Sequence, residues 1–150
     1  MKCFKFAAEG ILAAVKTQRT LRIHRAFAFY VILAGVVTKL PRAEWAIVIF
    51  CMAAVMSLEL INTAIESLCD RVSAEYSPQI KLAKDAAAGA VLVCAIASAI
   101  IGCIIFFSNG RPALALEFAQ NNILAAGAIV LTLPLWIIFI FKKGDHTNDY

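Results

Sequence analysis

Residues 59 to 85 read ELINTAIESLCDRVSAEYSPQIKLAKD and hold most of the groups here that could do chemistry. At about 100° of helical rotation per residue, Glu59, Asn62, Thr63, Glu66 and Asp70 fall on roughly a third of a helix circumference and form one polar stripe. The stripe continues an apolar run that is itself long enough to enter a bilayer. A charged group at the bilayer centre costs on the order of 2.5–3.5 kcal/mol on insertion scales, so two glutamates one heptad apart need a partner, water or a metal. Mg²⁺ takes oxygen ligands, keeps several waters and is commonly held by one or two carboxylates together with substrate phosphates. One glutamate holding metal while the other accepts a hydroxyl proton is a division of labour that suits phosphoryl transfer. Polar groups inside spans also line ion or proton paths and glue helices together, so catalysis, conduction and structure all stay open on physics alone.

The elements that must position this stripe are membrane helices. Of the 150 residues 62% are hydrophobic and only 16% charged, with a mean hydropathy of +0.82. A soluble domain carries about 25% charged residues, so the chain reads as an all-α integral membrane protein. Residues 2 to 20 alternate lysines and arginines with Phe4, Phe6, Ile11, Leu12 and Val15, a pattern that suits an amphipathic helix lying on the membrane surface. A first span is expected from Ala26 to Leu40, short unless Arg25 and Lys39 snorkel. Pro41 then breaks the helix, and Trp45 stands where interfacial aromatics sit. A second span starts near Ala43 and runs into the stripe, which puts Glu59 about 24 Å and Glu66 about 34 Å from its start at 1.5 Å per residue. Ser77 and Pro78 mark a connector from Arg71 to Gln79, and a third span runs from Ala86 to Phe107, opening on small residues that allow close helix approach. After Asn109 and Gly110, Arg111 and Pro112 begin a short external loop. A fourth apolar run follows from Ile123 to Phe141, in which Pro134 should produce a kink.

Of the 14 lysines and arginines, this arrangement puts Lys39, Arg42 and Arg111 on one side and all others on the other, which places both termini in the cytoplasm. The basic N-terminus does not suggest a nucleic-acid arm, because no soluble domain follows it. No cleavable targeting segment is visible, and Cys3 lies too near the start to follow one. The five cysteines show no CxxC spacing, and Cys51, Cys94 and Cys103 read as plain thiols in apolar runs. His24, among basic residues at a membrane boundary, reads as a headgroup or packing residue. Arg19 and Arg22 could reach nucleotide phosphates, but charge-directed topology accounts for them equally well. The chain has no GxxxxGK[ST] or GxGxxG phosphate cradle, no GxSxG elbow and no HExxH.

ELINTAIE, then CDR, EYSP and AKDAAAGAVL, together resemble the signature of the prokaryotic diacylglycerol kinase and undecaprenol kinase family over about Lys2 to Phe107. These are small integral membrane lipid kinases. The resemblance implies a surface helix and three transmembrane helices per subunit, forming a homotrimer with active sites shared between neighbours. The substrates implied are ATP, used with Mg²⁺, and a membrane lipid alcohol. Residue by residue, it implies Glu59 as base on the lipid hydroxyl, Asn62 as the motif asparagine and Glu66 as the metal ligand. Lys84 and Asp85, with Glu75 beside Tyr76, are implied as nucleotide contacts, and Asp70 as a support.

The chain departs from that pattern in two places. Gln18 stands where many members carry a glutamate as second metal and nucleotide ligand; an amide oxygen holds Mg²⁺ more weakly and without neutralising it. Residues 111–150, an extra C-terminal transmembrane helix and polar tail, lie outside the 1–110 kinase core. NTAIE and AKDAAAGAV resemble the undecaprenol kinases more than the diacylglycerol kinases, so undecaprenol is the expected substrate and diacylglycerol the alternative. A transporter or structural bundle is the non-enzymatic alternative.

Overall fold

The computed structural model describes residues 2–72 and 77–141, and every regular element among them is helical. The order is α1 (Lys2–Thr17), α2 (Arg19–Val37), α3 (Arg42–Val72), α4 (Pro78–Phe107), α5 (Arg111–Asn121) and α6 (Ile123–Phe141). Four of these, α2, α3, α4 and α6, are long and apolar enough to cross a membrane. At 31 and 30 residues, α3 and α4 are each about 45 Å long, well beyond a hydrocarbon core of about 30 Å. Their polar ends therefore project past the apolar slab.

The longest contact is the antiparallel α3–α4 hairpin, with α2 laid against α3 and α6 against α2. The buried cluster of Leu40, Val48 and Ile105, flanked by Val31, Trp45, Met52, Ile101 and Phe106, sits at the end of the hairpin away from the polar stripe. Most other large apolar side chains face outward, Leu92, Val93, Ile104 and Leu131 among them, which is the reverse of a water-soluble bundle and is expected where lipid is the solvent.

The turn from α2 to α3 is closed by local chemistry. Thr38 Oγ1 donates to the Ala34 carbonyl at 2.7 Å, Lys39 N to Val36 O at 3.2 Å and Leu40 N to Gly35 O at 3.0 Å. This bond pattern is the Schellman ending, in which a left-handed residue stops the helix; here that residue is Lys39, at φ 54°. Gly35 is needed for close approach, because a Cβ there would lie 2.7 Å from a ring carbon of Trp45.

Three boundaries differ from expectation. The first span begins at Arg19 rather than Ala26 and ends at Val37, which gives 19 residues, about 28 Å, so it is not short. The surface helix ends at Thr17, since Gln18 has extended backbone (φ −92°, ψ 120°) and separates α1 from α2. The expected external loop after Gly110 is instead the 11-residue helix α5, opened by left-handed Gly110 and by Pro112, whose missing N–H costs nothing in a first turn. Phe4, Phe6 and Leu12 of α1 stay exposed, as a helix that dips its apolar face into a membrane surface requires.

Candidate functional site

Glu59 is 5% exposed, which is unusual for a carboxylate. It is held from α2: Thr20 Oγ1 donates to its Oε2 at 3.0 Å, and His24 Nε2 lies 3.2 Å from its Oε1. Thr20 and His24 are four residues apart, so one helix face delivers both. His24, expected as a headgroup or packing residue, has a specific partner in Glu59. The contact escaped that reading because it lies 35 positions away, across two helices. The only local signal was the i, i+4 spacing of a hydroxyl and an imidazole at the mouth of a span.

His24 also lines an apolar cavity of about 610 Å³ walled by α2, α3 and α4, including Phe27, Val31, Met52, Val55 and Phe106. Glu59 does not itself line this cavity; His24, which does, links the cavity to the carboxylate. One and two turns further along α3 come Asn62 and Glu66. Asn62, 9% exposed, donates from Nδ2 to Glu66 Oε1 at 2.9 Å. Both glutamate oxygens are acceptors, so the amide orientation is set by this bond, and the buried Oδ1 makes no hydrogen bond among the described residues. A buried carbonyl oxygen without a donor beside a half-buried carboxylate is a donor set that suits a hard cation, which seeks oxygen ligands and completes its shell with water and phosphate. No group of three or more His, Cys, Asp or Glu capable of holding a metal occurs among the described residues. A site of one carboxylate, one amide oxygen and substrate oxygens fits Mg²⁺ and would not suit a structural metal.

The lysine and aspartate of AKD lie at the same end of the hairpin but do not point at Glu59. Lys84 Nζ is paired with Asp70 Oδ1 of α3, and Asp85 takes a 2.6 Å contact from Lys81 one turn earlier. Asp85, Lys81 and Asp70 are exposed, which leaves their pairings open to exchange. Gln18, half-buried in the joint between α1 and α2, makes no side-chain cap on α2. Glu75 and Tyr76 lie outside the described residues. The structure therefore gathers Thr20, His24, Glu59, Asn62 and Glu66 along one seam and sets Asp70, Lys84 and Asp85 at its wet end.

The chain matches the model of the family described as prokaryotic diacylglycerol kinase over residues 5–106. It belongs to that family. It is 43% identical over 105 residues to the undecaprenol kinase of Bacillus subtilis, covering 70% of this chain and 85% of that one. It is likewise 43% identical over 100 residues to a diacylglycerol kinase of Synechocystis, covering 66% of this chain and 57% of the relative. A 40% identical stretch of 55 residues is shared with the diacylglycerol kinase of Escherichia coli, 37% of this chain and 45% of that one. No solved structure matches. The protein is accordingly a multi-pass membrane lipid kinase, and α5 and α6 fall beyond the matched region.

Proposed function

We propose that the protein transfers the γ-phosphate of ATP to the hydroxyl of undecaprenol, giving undecaprenyl phosphate. The observation that carries the reading is Glu59, buried and gripped by Thr20 and by His24, which also lines the apolar cavity. A long apolar chain with one hydroxyl fits that division: its tail lies along the cavity wall and its oxygen reaches the carboxylate. Glu59 then accepts the hydroxyl proton as the oxygen attacks the γ-phosphate in line. Thr20 and His24 hold the carboxylate by one contact on each oxygen, which supplies positioning without reorganisation at the moment of reaction.

Glu66 and the Asn62 Oδ1 would hold Mg²⁺, with Gln18 a weaker further ligand if α1 and α2 bring it near. When bound, the cation offsets charge on the transferring phosphoryl group. Lys84, released from Asp70, offers an ammonium to the nucleotide phosphates, and Asp85 and Glu75 serve as polar contacts to the rest of the nucleotide. Basic residues concentrated at this end support a cytoplasmic side for it and for both termini, where ATP is. The largely exposed flanks of α3 and α4 suit a homotrimer in which neighbours complete each site.

Similarity to the Bacillus protein named undecaprenol kinase, over 85% of its length, and the NTAIE and AKDAAAGAV runs favour a polyprenol. Diacylglycerol is the second reading, supported by the Synechocystis relative at equal identity. Purified protein in mixed micelles with labelled ATP and either lipid tests both. Phosphorylated undecaprenol at the higher kcat/KM, abolished by a chelator and lost in Glu59→Gln, is the expected result. Near wild-type turnover by Glu59→Gln removes Glu59 as base, and phosphatidic acid as the preferred product reverses the substrate assignment.

A further inference from the structure

The inner end of α2 presents two faces. Thr20 and His24 look to Glu59, while Arg19, Arg22 and Arg25, spaced three apart and so on one side of the helix, all look to α6. The Arg19 guanidinium lies 4.1 Å above the Phe141 ring and that of Arg25 lies 5.5 Å from the Phe139 ring. Arg22, buried, donates from Nη1 to the Phe139 carbonyl at 3.3 Å. That carbonyl lies in the last described turn of α6, so the arginine ties α2 to this end of the helix. Higher in the membrane, the Tyr30 hydroxyl and Thr132 Oγ1 are 2.7 Å apart, and Phe29 packs on Trp136 at 5.7 Å. The two helices are thus joined over about three turns. The residues that carry these contacts on α6 lie wholly outside the family match, while their partners on α2 flank the residues that grip Glu59.

We infer that α6 is a built-in brace for the active site: it fixes the position of the inner turns of α2 and, through Thr20 and His24, the orientation of the Glu59 carboxylate. The inference rests on the reading of Glu59 as the base. A buried arginine on a helix carbonyl is directional and the two ring contacts flank it, so the joint resists rotation of α2 about its own axis. A rotation would swing Thr20 and His24 off Glu59. Misplacement of a catalytic group by about 1 Å costs on the order of a hundredfold in rate, so a modest loosening is visible in kcat. Phe139, Phe141 and Thr132 are positioning residues in this scheme, because none touches Glu59.

The test uses the full-length chain in bilayer nanodiscs, with kcat and KM measured for ATP and lipid. Phe139→Ala combined with Phe141→Ala should lower kcat about tenfold and leave KM for ATP within about twofold. Phe141→Trp, which keeps a ring under Arg19, should retain wild-type kcat. In a His24→Ala background the double alanine change should add less than about twofold, because both act through the same contact. If the double variant does not fold, Thr132→Val, which removes only the hydroxyl facing Tyr30, takes its place with the same His24→Ala cycle.

Wild-type kcat in a folded α6 variant, or losses that multiply fully with that of His24→Ala, overturns the brace. Glu59→Gln is run alongside. If it is dead while the α6 variants fail this way, the brace alone falls; if it turns over normally, the reading of the base falls first.

Discussion

Two carboxylates of α3 are drawn into the bundle about 22 Å apart, and they have been given opposite kinds of partner. Glu44, in the first turn, meets the buried Arg111 of α5, whose Nη2 donates to Oε1 at 2.9 Å. Oε2 lies 2.8 Å from the same nitrogen but is not aligned for a second bond. The other end of the guanidinium binds the Ile105 carbonyl at the close of α4. Three helices are pinned by one cation that has no proton to give up, so the pair is inert. Glu59 meets instead a hydroxyl and an imidazole, groups that orient a carboxylate without neutralising it permanently, and the imidazole also lines the apolar cavity. Both carboxylates are drawn into the bundle; what separates them is the partner each meets.

The contrast is sharpest in activity. Glu59→Gln, nearly the same shape, should lower kcat by about 10²–10⁴ with unfolding behaviour little changed, the range for loss of a general base. Glu44→Gln should do the reverse, leaving kcat near wild type but stranding the buried charge of Arg111, which costs about 3–5 kcal/mol of stability. Thermal unfolding in detergent beside turnover of the surviving folded fraction separates the two. Equal kcat losses from both changes would erase the distinction. Replacing the pair together, Glu44→Leu with Arg111→Met, should restore most of the stability, since exchanging a buried ion pair for apolar groups is often neutral or better.

A smaller change probes the same end of α3 without charge. Gly35→Ala places a methyl 2.7 Å from the Trp45 ring and close to Leu40, at the turn beside the buried cluster. Overpacking of this kind costs about 1–3 kcal/mol. Stability should fall while KM and kcat stay put, because the turn is remote from Glu59. A selective loss of turnover would show that this end reaches the site.

The four spans, the break at Pro41 and the membrane class were readable in the residues because each rests on a long, local signal: apolar length, a prolyl ring, charge sparsity. The α6 bounds, Ile123 to Phe141, coincide with the apolar run. The stripe on α3 was readable for the same reason, since helical spacing is local. What was hidden is contact between helices. Nothing in the run RTLRIHR says that its threonine and histidine turn toward α3 while its arginines turn toward α6; that follows from how α2 is rotated between two neighbours. Arg111 was read as the start of a loop, but it is the first residue of a helix, and its charge is used by a glutamate 67 positions earlier. The pairing of Lys84 with Asp70 likewise depends on the register of the α3–α4 hairpin, which the connector alone does not fix.

The mildest change asks what the partners of Glu59 contribute. Thr20→Val keeps the shape of the side chain and removes the donor at 3.0 Å from Oε2. A buried carboxylate oxygen then loses one hydrogen bond but remains next to His24, so the carboxylate stays in place with wider angular freedom. A hydrogen bond to a charged group is worth about 1.5–3 kcal/mol, and only the share that restrains the productive orientation appears in rate. A loss of about threefold to tenfold in kcat, with KM for ATP unchanged, is the expected outcome. Thr20→Ser, which returns the donor, should recover most of it. If valine and serine behave alike, the hydroxyl does not orient the base, and His24 alone distinguishes Glu59 from Glu44.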